Sequence, residues 1–376
     1  MNWRDDGTSG LCRALARPEE IPAIPPRAWE DILAAARETS LLGALWVCAS
    51  DAGVLTAIPE QARRHLEGGY RIALRNGEAI RWELEQLQSG LLTRLPPPVV
   101  LKGAAYLLAD LPNARGRVCN DIDLLFPRSE VERAETLLFF EGWSTTHHEA
   151  YDQRYYREWM HELPPLEHRR RGTTLDLHHN ILPETFVVRT DPERLLGGAG
   201  VLPAPWRYRV LRPPHLVLHA IVHLFAETDW DRGLRDLYDI HVLLKHYASV
   251  DGETFWTELV EEAEALAVGW LAGHAVYCAR GCFATPVPAW VLRNLAGDRR
   301  GRLARPLARA AFLRGLQTRA TATPVQAALG RGALFLRGHY LKMPPGLLVR
   351  HLFYKAFLAP REDEADAGNR DEIRGN

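Results

Sequence analysis

The chain has 376 residues, 47% of them hydrophobic and 25% charged, with a formal net charge of -1. That is the composition of a globular protein with ample core, and its near-neutral balance excludes a general nucleic-acid binder, which would be basic overall. The five cysteines, Cys12, Cys48, Cys119, Cys278 and Cys282, are odd in number and scattered, so a reducing compartment is expected rather than a disulfide framework. The opening MNWRDDGTSGLCRALARPEE carries acids and lacks an apolar signal core, and LLGALWVCA is too short to span a bilayer. A cytoplasmic protein without a membrane segment is expected.

Residues 26–95 are predicted helical. PRAWEDILAAARETSLLGALWVCAS starts at Pro26 and keeps apolar residues at helical spacing. A long amphipathic helix follows on Ala62, Leu66, Tyr70, Leu74, Ile80, Leu84, Leu87 and Leu91, bent at Gly68-Gly69 and ended by Pro96-Pro97-Pro98. The character then changes. VVLKGA predicts a strand entering a turn, AAYLLADL a short helix and DIDLLF a second strand stopped by Pro127. Ser129 with Glu132 reads as a capping box for the helix VERAETLLFFEGW, which Gly142 closes. PPLEHRRRGTTLDLHHN predicts a hairpin around the basic turn Arg169-Arg170-Arg171-Gly172. This order of elements predicts a small α/β or α+β sheet domain over residues 96–182. From about 205 the pattern is helical again, and the charged tail from 361 to 376 is expected to be disordered.

Side chains alternate along a strand, so Asp121 and Asp123 share one face of DIDLLF while Ile122 and Leu124 take the other. Two such carboxylates repel unless a cation lies between them, and a hard divalent metal takes oxygen ligands of this kind. Asp176 in LDLHH offers a third carboxylate from the hairpin strand. Upstream, Lys102-Gly103-Ala104 opens a helix, where a glycine admits phosphate oxygens close to the backbone and Lys102 adds positive charge. Together these parts make a site for a metal-bound nucleoside triphosphate, in which two metals about 4 Å apart activate the attacking hydroxyl and stabilise the pyrophosphate leaving group.

On LKGAAYLL, on RVCNDIDLLF with Arg117, and on LDLHHN, the chain resembles the bacterial uncharacterised-nucleotidyltransferase family of the DNA polymerase beta-like superfamily. HAIVHLF and LRDLYDIHVLL resemble its helical segments more weakly. The resemblance implies an α+β fold: a small mixed β-sheet nucleotidyltransferase core (96–182) with an N-terminal helical region (1–95) and a C-terminal helical domain (183–360). It implies Asp121, Asp123 and Asp176 as catalytic metal ligands for Mg²⁺ or Mn²⁺, and Lys102, Gly103, Ala104 and Arg117 at the nucleotide. The broad superfamily has Gly-Ser at this turn, where the serine helps to hold a phosphate. This chain has Gly103-Ala104, and Lys102 is expected in that role. The implied activity is transfer of a nucleoside monophosphate from an NTP to an acceptor, with pyrophosphate released and Asp176 as candidate base. A small molecule, peptide or protein is favoured as acceptor over a large nucleic acid. The alternative is a nucleotidyltransferase-fold protein that binds a nucleotide or partner without turnover.

Other candidates carry two readings each. Nucleotidyltransferases of the abortive-infection toxin type set a similar basic-Asp-x-x-Asp helix against the nucleotide. Arg235 and Asp236, with Arg232 and Asp239 nearby in WDRGLRDLYDI, either do this or form a solvated face with local ion pairs. His178 either orients a ligand or acceptor or packs in the core. His219, His223 and Glu227 share a helical face that could hold zinc. Ala220 stands where a zinc peptidase has its glutamate, so His223 is read as packing near the active site or a domain joint. His274, Cys278 and Cys282 read as an apolar helix face, and Arg169–Arg171 as a solvated turn.

Overall fold

The computed structural model describes residues 7–145, 150–228, 230–297, 305–318, 324–344, 346–348 and 350. The N-terminal helices are α1 (Gly7–Ala16), α2 (Ala28–Glu38), α3 (Leu42–Asp51) and α4 (Glu60–Gly90). The run read as helical from Pro26 forms two helices, divided near Ser40, which takes a left-handed φ of 58°. Gly68-Gly69 does not interrupt α4, which runs on for 31 residues. Gly69 serves packing instead: a Cβ there would stand 2.5 Å from Leu42 Cβ, so its absence lets α3 lie close against α4. The helix stops at Gly90, ahead of the prolines, and tightens into a 3-10 turn over Leu91–Thr93.

The sheet elements follow: β1 (Val99–Val100), α5 (Lys102–Leu108), β2 (Asp121–Leu125), α6 (Arg128–Phe140), β3 (Trp143–Thr145), α7 (Ala150–Trp159), β4 (Leu166–His168) and β5 (Thr174–His178). After α8 (Pro192–Gly198), β6 (Gly200–Val201) and β7 (Arg209–Val210) return to the same sheet. Among the described residues the strands form one mixed sheet of seven, in the order β3-β4-β5-β2-β1-β7-β6. This agrees with the α+β expectation and sets the strand bearing the two aspartates at the centre, not at an edge. β2 runs antiparallel to β1 and parallel to β5. Ile122, Leu124, Leu175 and Leu177 are fully buried, which holds the two central strands in register by the period-2 rule.

The predicted hairpin forms between β4 and β5. β3, β6 and β7 were not anticipated, because at two or three residues each they are too short for alternation to register. The capping box does not form: α6 begins at Arg128 behind Pro127, with no side-chain cap. Pro127 instead presets the backbone entry with its fixed φ of -54°.

The C-terminal helices are α9 (Pro213–Ala226), α10 (Gly233–Ala265), α11 (Gly269–Phe283), α12 (Ala289–Gly297), α13 (Arg305–Gly315) and α14 (Pro324–Lys342). Nearly every residue of α9 from Pro214 to Ala226 is buried, so α9 is a core helix, with α10 and α11 packed on it. The expected disordered tail lies outside the described residues. Among the described residues, no helix is long and apolar enough to cross a membrane.

Candidate active site

The parallel register of β2 and β5 sets Asp123 opposite Asp176. Asp123 is 1% exposed, and a carboxylate so buried needs partners for its charge. Lys102 Nζ donates to its Oδ1 at 2.6 Å, and His178 Nε2 lies 2.9 Å from the same oxygen. Burial opposes the Asp123 charge, but Lys102 and His178 outweigh it and hold the carboxyl well below the usual carboxylate range. Burial likewise opposes the Lys102 ammonium, and Asp123 and Asp121 overcome it, so Lys102 titrates above an ordinary lysine.

Asp176 is in the opposite situation. Its Oδ1 is buried without a hydrogen-bond partner, a state that costs about 1–3 kcal/mol. Burial, with the charges of Asp123 and Glu162, pushes its carboxyl up to about 7. Donor atoms of Asp123, Asp176 and His178 lie within 4.8 Å of one another. Among the described residues Asp121 joins no three-residue group of that span. It lines the adjoining cavity instead, its carboxyl raised first by the Asp123 charge and then by burial.

The turn after β1 is built around this pair. Leu101 N–H donates to the Asp123 carbonyl at 3.0 Å. Lys102 then adopts a φ of 48°, a left-handed conformation that costs a residue with a Cβ about 1–3 kcal/mol. Gly103 follows because Arg117 passes behind it: a Cβ there would stand 2.1 Å from Arg117 Nη1 and 2.6 Å from Cys119 Sγ. Ala104 is buried in the core and does not line the cavity.

The cavity has a volume of about 440 Å³. Its lining mixes the cations Lys102, Arg117, Arg232 and Arg235 with the acids Asp121, Glu227, Asp231, Asp236 and Asp239, and includes Tyr106, Asn120 and His223. Arg117 Nε donates to Asp239 Oδ2 at 2.7 Å, and Asn113 Nδ2 donates to Asp239 Oδ1 at 3.2 Å. Arg235 donates from Nε and Nη2 to Asp236 Oδ1 at 2.9 and 2.7 Å. Arg235 is 7% and Asp239 4% exposed, which excludes a solvated face here: this part of α10 faces the cavity. Burial raises the Asp239 carboxyl despite Arg117, whereas Arg235 holds Asp236 low against burial.

His223 lines the cavity, and burial together with the Lys102 charge pulls its imidazole down to about 4. His219 and His223 have ring centroids 6.5 Å apart but join no three-residue ligand group among the described residues. Glu227 instead accepts from Lys342 Nζ at 2.7 Å, which overcomes burial and brings its carboxyl to about 2. In the hairpin turn, Arg169, Arg170 and Arg171 are exposed as expected, but the Arg171 head group is also held by partners. It grips Glu83 of α4 at 2.8 and 2.6 Å and lies 5.7 Å from the rings of Trp82 and Trp143.

Sequence reasoning missed several participants. The Asn76 amide donates to the Cys119 carbonyl at 2.8 Å and accepts from its N–H at 2.7 Å, steadying the chain just before β2. Lys342, His161 and Glu162 also reach the site region. Asn76 and Lys342 are each far from their partners in sequence, and only the adjacent pair His161-Glu162, just ahead of the hairpin, held a local signal.

A family model described as "Uncharacterised nucleotidyltransferase" matches residues 25–284, more than half of the chain. No curated protein and no solved structure matches.

Proposed function

The chain belongs to the uncharacterised nucleotidyltransferase family, and on that premise we propose that it transfers a nucleoside monophosphate from an NTP to an acceptor in a metal-dependent reaction that releases pyrophosphate. The observation that carries this reading is the Asp123–Asp176 pair on adjacent central strands, with Asp176 Oδ1 orphaned, beside a cavity walled by one lysine and three arginines. The strand, turn, helix and Asp-x-Asp strand in this order support a place in the polymerase beta-like superfamily. Asp123 and Asp176, with Asp121 nearby, would hold Mg²⁺ or Mn²⁺, which when bound neutralises phosphate charge and lowers the pKa of an attacking hydroxyl.

The chain's own residues do the rest. Arg117 and Arg235 flank the space for the triphosphate, each steadied by an aspartate of α10. Lys102 is committed to Asp123. It can turn to a phosphate only when another cation takes its place on that carboxylate, so nucleotide and metal are expected to bind together. Asp176 is the carboxylate set to accept the proton of the acceptor hydroxyl. The near-neutral chain favours a small molecule, peptide or protein as acceptor over a large nucleic acid, and a cytoplasmic setting fits the cysteine usage.

One observation favours the second reading, a binding protein without turnover. Lys102 and His178 both occupy Asp123 Oδ1, and Asp121 stands outside the close carboxylate group. A built-in ammonium of this kind can replace a metal permanently. Pyrophosphate release from each NTP with Mg²⁺ or Mn²⁺, against a panel of acceptors and with Asp123→Asn as control, separates the two. Release by the wild type alone supports transfer. Tight metal–NTP binding without release from any acceptor supports the binding protein.

A further inference from the structure

The His178 ring presents its two nitrogens to two different carboxylates. Nε2 lies 2.9 Å from Asp123 Oδ1, and Nδ1 lies 3.3 Å from Glu162 Oε2. A backbone bridge between residues 162 and 178 fixes the second approach. The same Glu162 oxygen is 3.9 Å from His161 Nε2, and the two imidazole centroids are 5.4 Å apart. The His178 side chain is 2% exposed, and those of His161 and Glu162 are 12% and 20% exposed.

His178 Nδ1 is close to Glu162 and yet forms no hydrogen bond. At 3.3 Å the contact lacks the alignment of a hydrogen bond. Nitrogen and oxygen ligands of a tetrahedral zinc each stand about 2.0–2.2 Å from it, which places them about 3.3–3.5 Å from one another. The spacings of 3.3 and 3.9 Å lie near that value, and donor atoms of all three residues fall within 4.8 Å.

We propose that His161, Glu162 and His178 form a binding site for a transition-metal cation, Zn²⁺ by preference, separate from the metal–nucleotide site and joined to it through the His178 ring. Two imidazoles and one carboxylate suit Zn²⁺, whereas Mg²⁺ takes oxygen ligands. The outer contact fits as well. A metal-bound histidine usually donates its other N–H to a carboxylate, which fixes the tautomer, and Asp123 stands in that position at Nε2. A void of about 10 Å³ is lined by His161 and His178 together with His219, His223, Lys102 and Lys342; it has room for about one water as a further ligand. The partial exposure of Glu162 gives the ion an entry path.

The test is metal content. The full chain is loaded with ZnCl₂, dialysed and analysed by plasma mass spectrometry, with circular dichroism on each variant. One zinc per chain is expected in the wild type and in Asp176→Asn. Loss of that zinc is expected in Glu162→Gln and His161→Gln, and zinc affinity is expected to fall about 10–100-fold in Asp123→Asn, which weakens the outer contact to His178. The proposal is overturned if the wild type retains no zinc. It is equally overturned if Glu162→Gln and His161→Gln retain zinc like the wild type, or if Asp176→Asn alone loses it, which would put the ion between Asp123 and Asp176. Should the variants misfold, cobalt substitution of the wild type decides: intense visible bands of four- or five-coordinate cobalt without thiolate charge transfer support the site, and a weak octahedral spectrum overturns it.

Discussion

Replacing Gly103 by alanine adds one methyl group at the point where the Lys102 turn, Arg117 and Cys119 meet. Its Cβ would stand 2.1 Å from Arg117 Nη1 and 2.6 Å from Cys119 Sγ, far inside ordinary contact distance. Neither neighbour has room to withdraw. Cys119 is buried, and the Arg117 side chain is 9% exposed and bound to Asp239 at 2.7 Å. Overpacking of this kind costs about 1–3 kcal/mol. If Arg117 leaves Asp239, the loss moves toward the roughly 3–5 kcal/mol of a broken buried pair. Gly77 is the control. A Cβ there meets Leu107 Cδ1 at an ordinary 3.4 Å within α4, and Gly→Ala in a helix interior gains about 0.8–1 kcal/mol. Urea unfolding should therefore move the midpoint down for Gly103→Ala and leave it level or raise it for Gly77→Ala, with nucleotide affinity reduced in the first only. An unshifted midpoint for Gly103→Ala, or equal shifts for both, would refute the close packing of Arg117 behind the turn.

Glu83→Gln should cost about 3 kcal/mol in urea unfolding, at the low end for a broken buried pair because Arg171 keeps some access to water; a change below about 0.5 kcal/mol would show that this clamp does not hold α4 to the hairpin. Glu262 is held down to about 2 by Arg194, against burial and with help from His215 and Arg212. A carboxyl whose folded pKa is depressed stabilises the fold above its unfolded value, about 4.3, and that stability is lost as pH falls toward 2. Glu262→Gln should accordingly flatten the dependence of stability on pH between 5 and 2, and an unchanged slope would contradict the pairing. Lys102→Met should raise Mg²⁺ affinity in the absence of nucleotide, because Asp123 loses its ammonium. The same change should lower nucleotide affinity about tenfold or more, the worth of a charge-assisted hydrogen bond. Calorimetry that finds both affinities lowered would remove Lys102 from the phosphate role.

The centre of the fold was legible because it is periodic. DIDLL and TLDLH alternate cleanly, so which residues share a face followed from the sequence, and the two strands pair with Asp123 against Asp176. Lys102 and Arg117 were legible through resemblance, but what they touch was not. Lys102 rests on an aspartate and Arg117 on α10, contacts 21 and 122 residues apart in sequence that no local spacing encodes. In the sequence Gly68-Gly69 reads as a bend and Gly103 as an opening for phosphate. At Gly69 and Gly103 the use of glycine is the missing Cβ, which depends on what packs above it. β6 and β7, two residues each, carry no pattern to read. The face of α10 was ambiguous because charged residues on a helix look alike whether they meet water or a polar cavity.

The central claim is that Asp123 and Asp176 hold the metal that brings a nucleotide into the cavity. Titration of a non-hydrolysable NTP analogue into the wild type and Asp176→Asn, with Mg²⁺ and with the metal chelated, tests it most directly. Asp176→Asn is the suitable variant because it removes one charge from a group that already lacks a partner. The account predicts binding to the wild type only with Mg²⁺ present, and loss of that binding in a folded Asp176→Asn. Equal affinity with and without the metal, or an Asp176→Asn variant that binds like the wild type, would contradict it.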